Sequence, residues 1–216
     1  VSFTEDLRKA AATTWEKAIG HRFFREVAAD TVEDGVFRRY LRVEYGFVDC
    51  AARVLGYAVA KAPSFAERTR LAFGLHGLVT DQQDYFRTAF EAAGIPPDQR
   101  AAVPPDARSK PLHDVFLEAA EKHGYEEILA CILAAEWMYL TWCSDADRTP
   151  SRRKHLRDWV GLHAGGAFAE HVAWVRGELD RRGPLLPAAR RAALHRLFES
   201  ALAAEILFHD AAYTAD

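Results

Sequence analysis

Apolar residues recur at three- and four-residue intervals along almost the whole chain, and no segment sustains the strict alternation of a strand bounded by hairpin turns. The pattern predicts an all-α protein. Its breaks fall at Gly20 and His21, in AADTVEDG, at Ala62 and Pro63, in GIPPDQRAAVPPDARSKP, at Gly124, in SDADRTPS and in RRGPLLP. These divide the chain into about eight or nine helices. Ser64 and Glu67 have capping-box spacing, and Gly94 followed by Pro96 and Pro97 is a helix stop. HAGGAF is a helix boundary and not a phosphate loop, because the GxGxxG spacing and a preceding strand are missing. The linker over 94–110 is too short to hold separate cores apart, so one compact bundle spanning 1–216 is expected.

Three acids interrupt this pattern. The run ILACILAAEWMYLTWC, residues 128–143, carries one charge, Glu136. Over the helix beginning GVFRRYLRVEYG, the apolar stripe passes through Phe37, Leu41, Glu44, Phe47 or Val48, Ala51 and Leu55. The last long helix repeats the arrangement through Leu194, Leu197 or Phe198, Ala201, Glu205, Phe208 and Ala212. An unpartnered buried carboxylate costs several kcal/mol, roughly, so three acids at core-facing positions call for a polar ligand, cations or a metal. Crowded acids also raise one another's proton affinity, which suits acid/base chemistry near neutral pH. Tyr40, Phe47, Trp137, Tyr139, Phe208 and Tyr213 lie within a turn or two of the acids. Flat rings beside carboxylates suit a planar, hydrogen-bonding heterocycle.

A net charge of −3 with interspersed signs leaves no footprint for nucleic acid or an anionic membrane. No apolar run reaches the roughly 20 residues that span a bilayer. The first residues carry acidic and polar side chains where a signal peptide needs a continuous apolar stretch. Cys50, Cys131 and Cys143 are odd in number, lack CxxC spacing and sit in apolar helical patterns, so a reduced, cytoplasmic protein is expected. His21, His76, His123, His155, His171 and His195 read as surface or helix-end residues.

Several blocks, taken in order, carry a resemblance over nearly the whole chain: TTWEKAIGHRFFREVAADTV, FRRYLRVEYGFV, AAEWMY, DWVGLHAGGAF and EILFHDAAY. They resemble the TenA, or thiaminase II, family, helical proteins of the heme-oxygenase-like fold associated with thiamin degradation and salvage. The resemblance implies that Glu44 is the pyrimidine-binding acid, where most members have Asp, and that Glu205 is the catalytic glutamate. It implies that Phe47, Tyr139 and Phe208 cradle the ring. The family's nucleophilic cysteine falls at Ala135, so direct thiol attack in the usual geometry is not available, and Cys131, one turn earlier, reads as a packing residue. A branch that lacks this cysteine and relies on glutamates is the better match, with Glu136 the candidate replacement. Other departures are His209 for a Trp, His163 for a Tyr, and Leu112 or His113 at a helix start that often supplies another Tyr.

The leading expectation is a hydrolase that cleaves an exocyclic C–N bond of a substituted aminopyrimidine, with Glu205 and Glu136 sharing the proton transfers. Glu44, Phe47, Tyr139, Phe208 and His163 would contact the substrate, and no metal or cofactor is required. A second reading is a metal-dependent oxidase, with Glu205 and His209 at i, i+4 and Glu44, Glu136, Asp158 and His163 as further donors. A third is a protein that binds its ligand without turning it over. The resemblance also implies a homo-oligomer.

Overall fold

A computed structural model describes residues 2–101 and 103–214. Among these residues the chain is helical and contains no strand. In chain order the helices are α1 (Phe3–Ala10), α2 (Ala12–Ile19), α3 (Arg22–Ala28), α4 (Asp34–Lys61), α5 (Phe65–Val79) and α6 (Asp81–Ala92). They continue with α7 (Lys110–Lys122), α8 (Tyr125–Ala146), α9 (Lys154–Ala164), α10 (Gly166–Arg182) and α11 (Ala188–Asp210). Single residues, Ala11, Thr80 and Gly165, separate α1 from α2, α5 from α6 and α9 from α10; with each of these pairs counted as one, the eleven segments make eight. This agrees with the count expected from the pattern.

The expected punctuation is realised in chemistry. The Ser64 hydroxyl accepts from the Ala66 amide at 3.2 Å and donates to Glu67, which opens α5. Gly94, at φ 68°, ends the turn after α6 in the left-handed region that favours glycine. The Glu127 carboxylate accepts from the Gly124 amide at 3.1 Å and pairs with Arg190 at 2.6 Å, which ties the start of α8 to the start of α11.

The apolar run 128–143 is α8, the axis of the bundle. It packs on α11, α9, α10 and α7 and touches α4, α2 and α3. Its residues are buried from Ile128 to Ala134 and again from Trp137 to Tyr139, with Ala135 and Glu136 half-buried between. On α4, Phe37, Leu41, Glu44, Val48 and Leu55 are buried, and on α11 Leu194, Phe198, Ala201, Glu205 and Phe208 are. Both stripes therefore run through their acids.

The linker after α6 crosses α4 at Gly46, between Glu44 and Phe47. A Cβ there would meet the Val103 carbonyl oxygen at 2.7 Å, too close for any side chain. Gly46→Ala is expected to destabilise the protein by about 1 to 3 kcal/mol, the usual cost of overpacking. Urea unfolding checks it: an unchanged midpoint would mean that the linker moves freely off α4.

Candidate active site

One turn of α4 separates Tyr40 from Glu44, and α11 presents Glu205 and His209 at the same spacing. α8 brings Tyr139 between them. All five side chains are buried, Glu44 at 8% exposure and Glu205 at 2%. Burial pushes Glu44 up to about 7. Glu205 rises well above the usual carboxylate range, first through burial and then through the charge of Glu44. Glu205 Oε2 has no hydrogen-bond partner among the described residues.

A chain of hydrogen bonds of fixed direction joins these groups. His209 Nδ1 lies 2.7 Å from the Glu205 carbonyl oxygen, which only accepts, so Nδ1 carries the proton. Burial holds the ring far below its ordinary range, at about 3, so it is neutral and Nε2 is an acceptor. The Tyr139 hydroxyl, 2.8 Å away, donates to Nε2. With that proton spent, the Tyr40 hydroxyl donates to Tyr139 across 3.0 Å. Burial is the larger influence on Glu44, and the Tyr40 hydroxyl pulls the carboxyl down against it.

In front of this polar cluster lies a cavity of about 410 Å³ between α4, α5, α7, α8 and the α9–α10 pair. Phe47, Ala135, Glu136, His163 and His171 are among its lining residues. Phe47 meets Phe208 edge-on at 5.7 Å between ring centroids, and His163 lies 4.9 Å from the Tyr139 ring. Glu44 and Glu205 themselves are not among the lining residues. Burial lowers His163 to about 4, and its Nδ1 donates to the Trp159 carbonyl oxygen at 3.0 Å, so the neutral ring keeps Nε2 as an acceptor. Leu112 is buried, and His113 meets Phe47 edge-on at 5.1 Å.

Glu136 faces the cavity but does not join Glu44 and Glu205. It pairs with His171 Nε2 at 3.1 Å, and its charge raises the proton affinity of that ring. His171, expected from the sequence at the surface or a helix end, is a cavity residue with a side chain 14% exposed. Its partner lies on another helix at a distance no local pattern encodes. Glu136→Gln is expected to lower the His171 titration midpoint, because burial and Arg70 then act unopposed. NMR titration of the ring reads this directly, and an unmoved midpoint would show that the pair does not form.

Of the remaining residues singled out in the sequence, Trp137 packs edge-on against Trp15 at 5.1 Å and under Arg176, and the Tyr213 hydroxyl donates to Glu26 at 2.7 Å. Neither serves the acids. Cys131 is fully buried, and burial pushes its thiol well up, so it supplies no thiolate in place of Ala135. For a metal, His209 has no nitrogen to offer: Nδ1 is committed to the backbone and Nε2 to Tyr139. No group of three metal-ligating side chains occurs among the described residues. The cluster instead places a carboxyl of strongly raised proton affinity, Glu205, near a second, Glu44, raised to about 7.

The model of the TENA/THI-4/PQQC family matches residues 8–215. Among characterised proteins, the aminopyrimidine aminohydrolase of Halalkalibacterium halodurans is 22% identical over 215 residues, covering 99% of this chain and 96% of that protein. The aminopyrimidine aminohydrolase of Helicobacter pylori is also 22% identical, over 209 residues and 96% of each chain. Among solved structures, a TenA homologue from Pyrococcus furiosus superposes with a TM-score of 0.88 at 21% identity, covering 98% of this chain and 100% of its own. One from P. horikoshii gives 0.87 at 19% identity, covering 99% of both. These structural likenesses establish the helical fold.

Proposed function

The chain belongs to the TENA/THI-4/PQQC family, and from that premise we propose that it is an aminopyrimidine hydrolase that cleaves an exocyclic C–N bond in thiamin salvage. The observation that carries the reading is the buried pair Glu44 and Glu205, with Glu205 Oε2 unpartnered among the described residues. Two characterised relatives are named for the same chemistry. No helix among the described residues is long and apolar enough to cross a membrane.

Glu44, near its midpoint at neutral pH, pairs with the aminopyrimidine edge: its protonated form donates to a ring nitrogen while its other oxygen accepts from the amino group. Phe47, Tyr139, Phe208 and His163 hold the plane of the ring. Glu205, kept protonated by burial and by Glu44, delivers a proton to the departing nitrogen. Glu136, steadied by His171, takes a proton from water. The water oxygen forms the new C–O bond as the C–N bond breaks, and that electron pair leaves on the nitrogen with the proton from Glu205. Ala135 supplies no nucleophile, so water, not a thiol, is the attacking species.

Incubating the purified protein with thiamin and with aminomethyl- and formylaminomethyl-pyrimidines tests the reading. Release of the amine or of formate from the pyrimidines is expected. The reading fails if none reacts and Glu205→Gln binds each pyrimidine no differently from wild type. A homo-oligomer in the cytoplasm is included in the proposal, supported by Phe65 and Leu185, each about 80% exposed, and by three free, buried cysteines.

A further inference from the structure

One charged side chain on the cavity wall, Arg70, has a buried nitrogen with no hydrogen-bond partner among the described residues. The cavity walls are mostly apolar, with Phe47, Val54, Phe116, Ile132 and Phe168 among them. The ionisable lining residues are Arg70, Asp81, Glu136, His163, Glu170 and His171. Glu136 and His171 are committed to each other at 3.1 Å. Arg70 projects from α5 on the face shared by Phe73, Gly74 and Gly77, and its charge acts on His171, so it stands beside the pair. Its Nε is buried and has no hydrogen-bond partner among the described residues. The acids Asp81 and Glu170 stand exposed at the rim. A guanidinium nitrogen buried against an apolar cavity without a hydrogen-bond partner is an unfavourable arrangement that an anion relieves, and the planar fork fits a carboxylate or phosphate in two parallel hydrogen bonds.

We propose that Arg70 receives an anionic group on the substrate, carried by the exocyclic amine and extending from the ring through the cavity past Glu136 and His171. This rests on the reading above, in which the ring lies at Glu44, and adds that its exocyclic bond points toward the cavity. The volume of about 410 Å³ holds such a molecule, being within the range of small-ligand sites. The preferred substrate class is an N-substituted aminomethylpyrimidine whose departing amine bears a carboxylate or a phosphate. Arg70 is then a specificity residue: it selects the amine half, while the acids select the ring.

A matched pair of substrates tests this, one with an N-carboxymethyl group and one with the neutral N-carbamoylmethyl group of the same size, together with an N-phosphoethyl compound. Wild-type kcat/KM is expected to favour the carboxylate over the amide by at least about tenfold, the order of a charge-assisted hydrogen bond. Arg70→Met narrows that ratio to within about twofold, and Arg70→Lys, which keeps the charge without the fork, retains some of it. Added inorganic phosphate, which needs no variant, competes against the anionic substrate in wild type and leaves the amide unaffected. A preference for the phosphate alone identifies the anion as phosphate. Equal kcat/KM for all three compounds in wild type, or an undiminished ratio in Arg70→Met, overturns the anion site and leaves the hydrolase reading standing. No turnover of any compound, with no binding either, overturns both.

Discussion

Glu205→Gln is expected to lower kcat on an aminomethylpyrimidine by at least about a hundredfold, the low end of what a positioned general acid contributes. The reason is specific to the protonation state. Glu205 is shielded from water, and the nearby Glu44 raises its proton affinity further. A glutamine keeps the shape and one donor but cannot give up a proton to a departing nitrogen. Because the native carboxyl is neutral, the amide is a close mimic and the fold survives, so lost activity is not lost structure. Steady-state kinetics beside a thermal melt checks this; a kcat within about threefold of wild type would remove Glu205 from the proton transfer.

The same burial explains which features were legible in the sequence. Glu44 and Glu205 stand in apolar stripes whose period fixes the face they share with Leu41, Val48, Ala201 and Phe208, so phase alone brings them to the core. Helix stops built on Gly, Pro or a capping Ser were legible too, because each imposes a backbone conformation. The break at Ala11 was not, since alanine has no local chemistry that ends a helix, and Thr80, though at capping-box spacing from Gln83, donates its hydroxyl to the His76 carbonyl oxygen and caps nothing. Glu136 could be assigned only to a nearly featureless helix, where apolar residues surround the axis and the period carries no direction. Its partner His171 lies on α10, and Arg70 lies on α5, which meets His171 at Gly74. Those contacts depend on how helices pack, which the period of one helix does not encode. His209 was visible only as a departure from the family's Trp; its role in directing Tyr139 and Tyr40 rests on one backbone carbonyl.

Stability against pH is expected to fall on the alkaline side well before any lysine or tyrosine titrates, and Glu44 and Glu205 set that limb. For Glu44 the sign follows from its shift. Its folded value, about 7, lies above the ordinary value of 4.5, so across that window the native state holds more proton than the unfolded chain. Its stabilising contribution is full below 4.5 and is lost as the pH climbs to about 7. At about 1.4 kcal/mol per unit, the loss is about 3 kcal/mol. Glu205 acts in the same direction and reaches further up the scale. Buried neutral histidines act oppositely: His163 at about 4 and His209 at about 3 lie below 6.5, so their contribution is present above 6.5 and is lost as the pH falls toward those values. The two sets partly cancel between 4.5 and 6.5, and above 6.5 the acids act together with His171, whose raised proton affinity works in the same direction. Urea unfolding of wild type, Glu44→Gln and Glu205→Gln from about pH 5 to about pH 9 separates the contributions. Each amide, with no proton to lose, should flatten the alkaline limb, and the double variant should abolish most of it. A limb equally steep in all the proteins would place both carboxyls in contact with water, where neither would retain a proton at neutral pH for the departing amine.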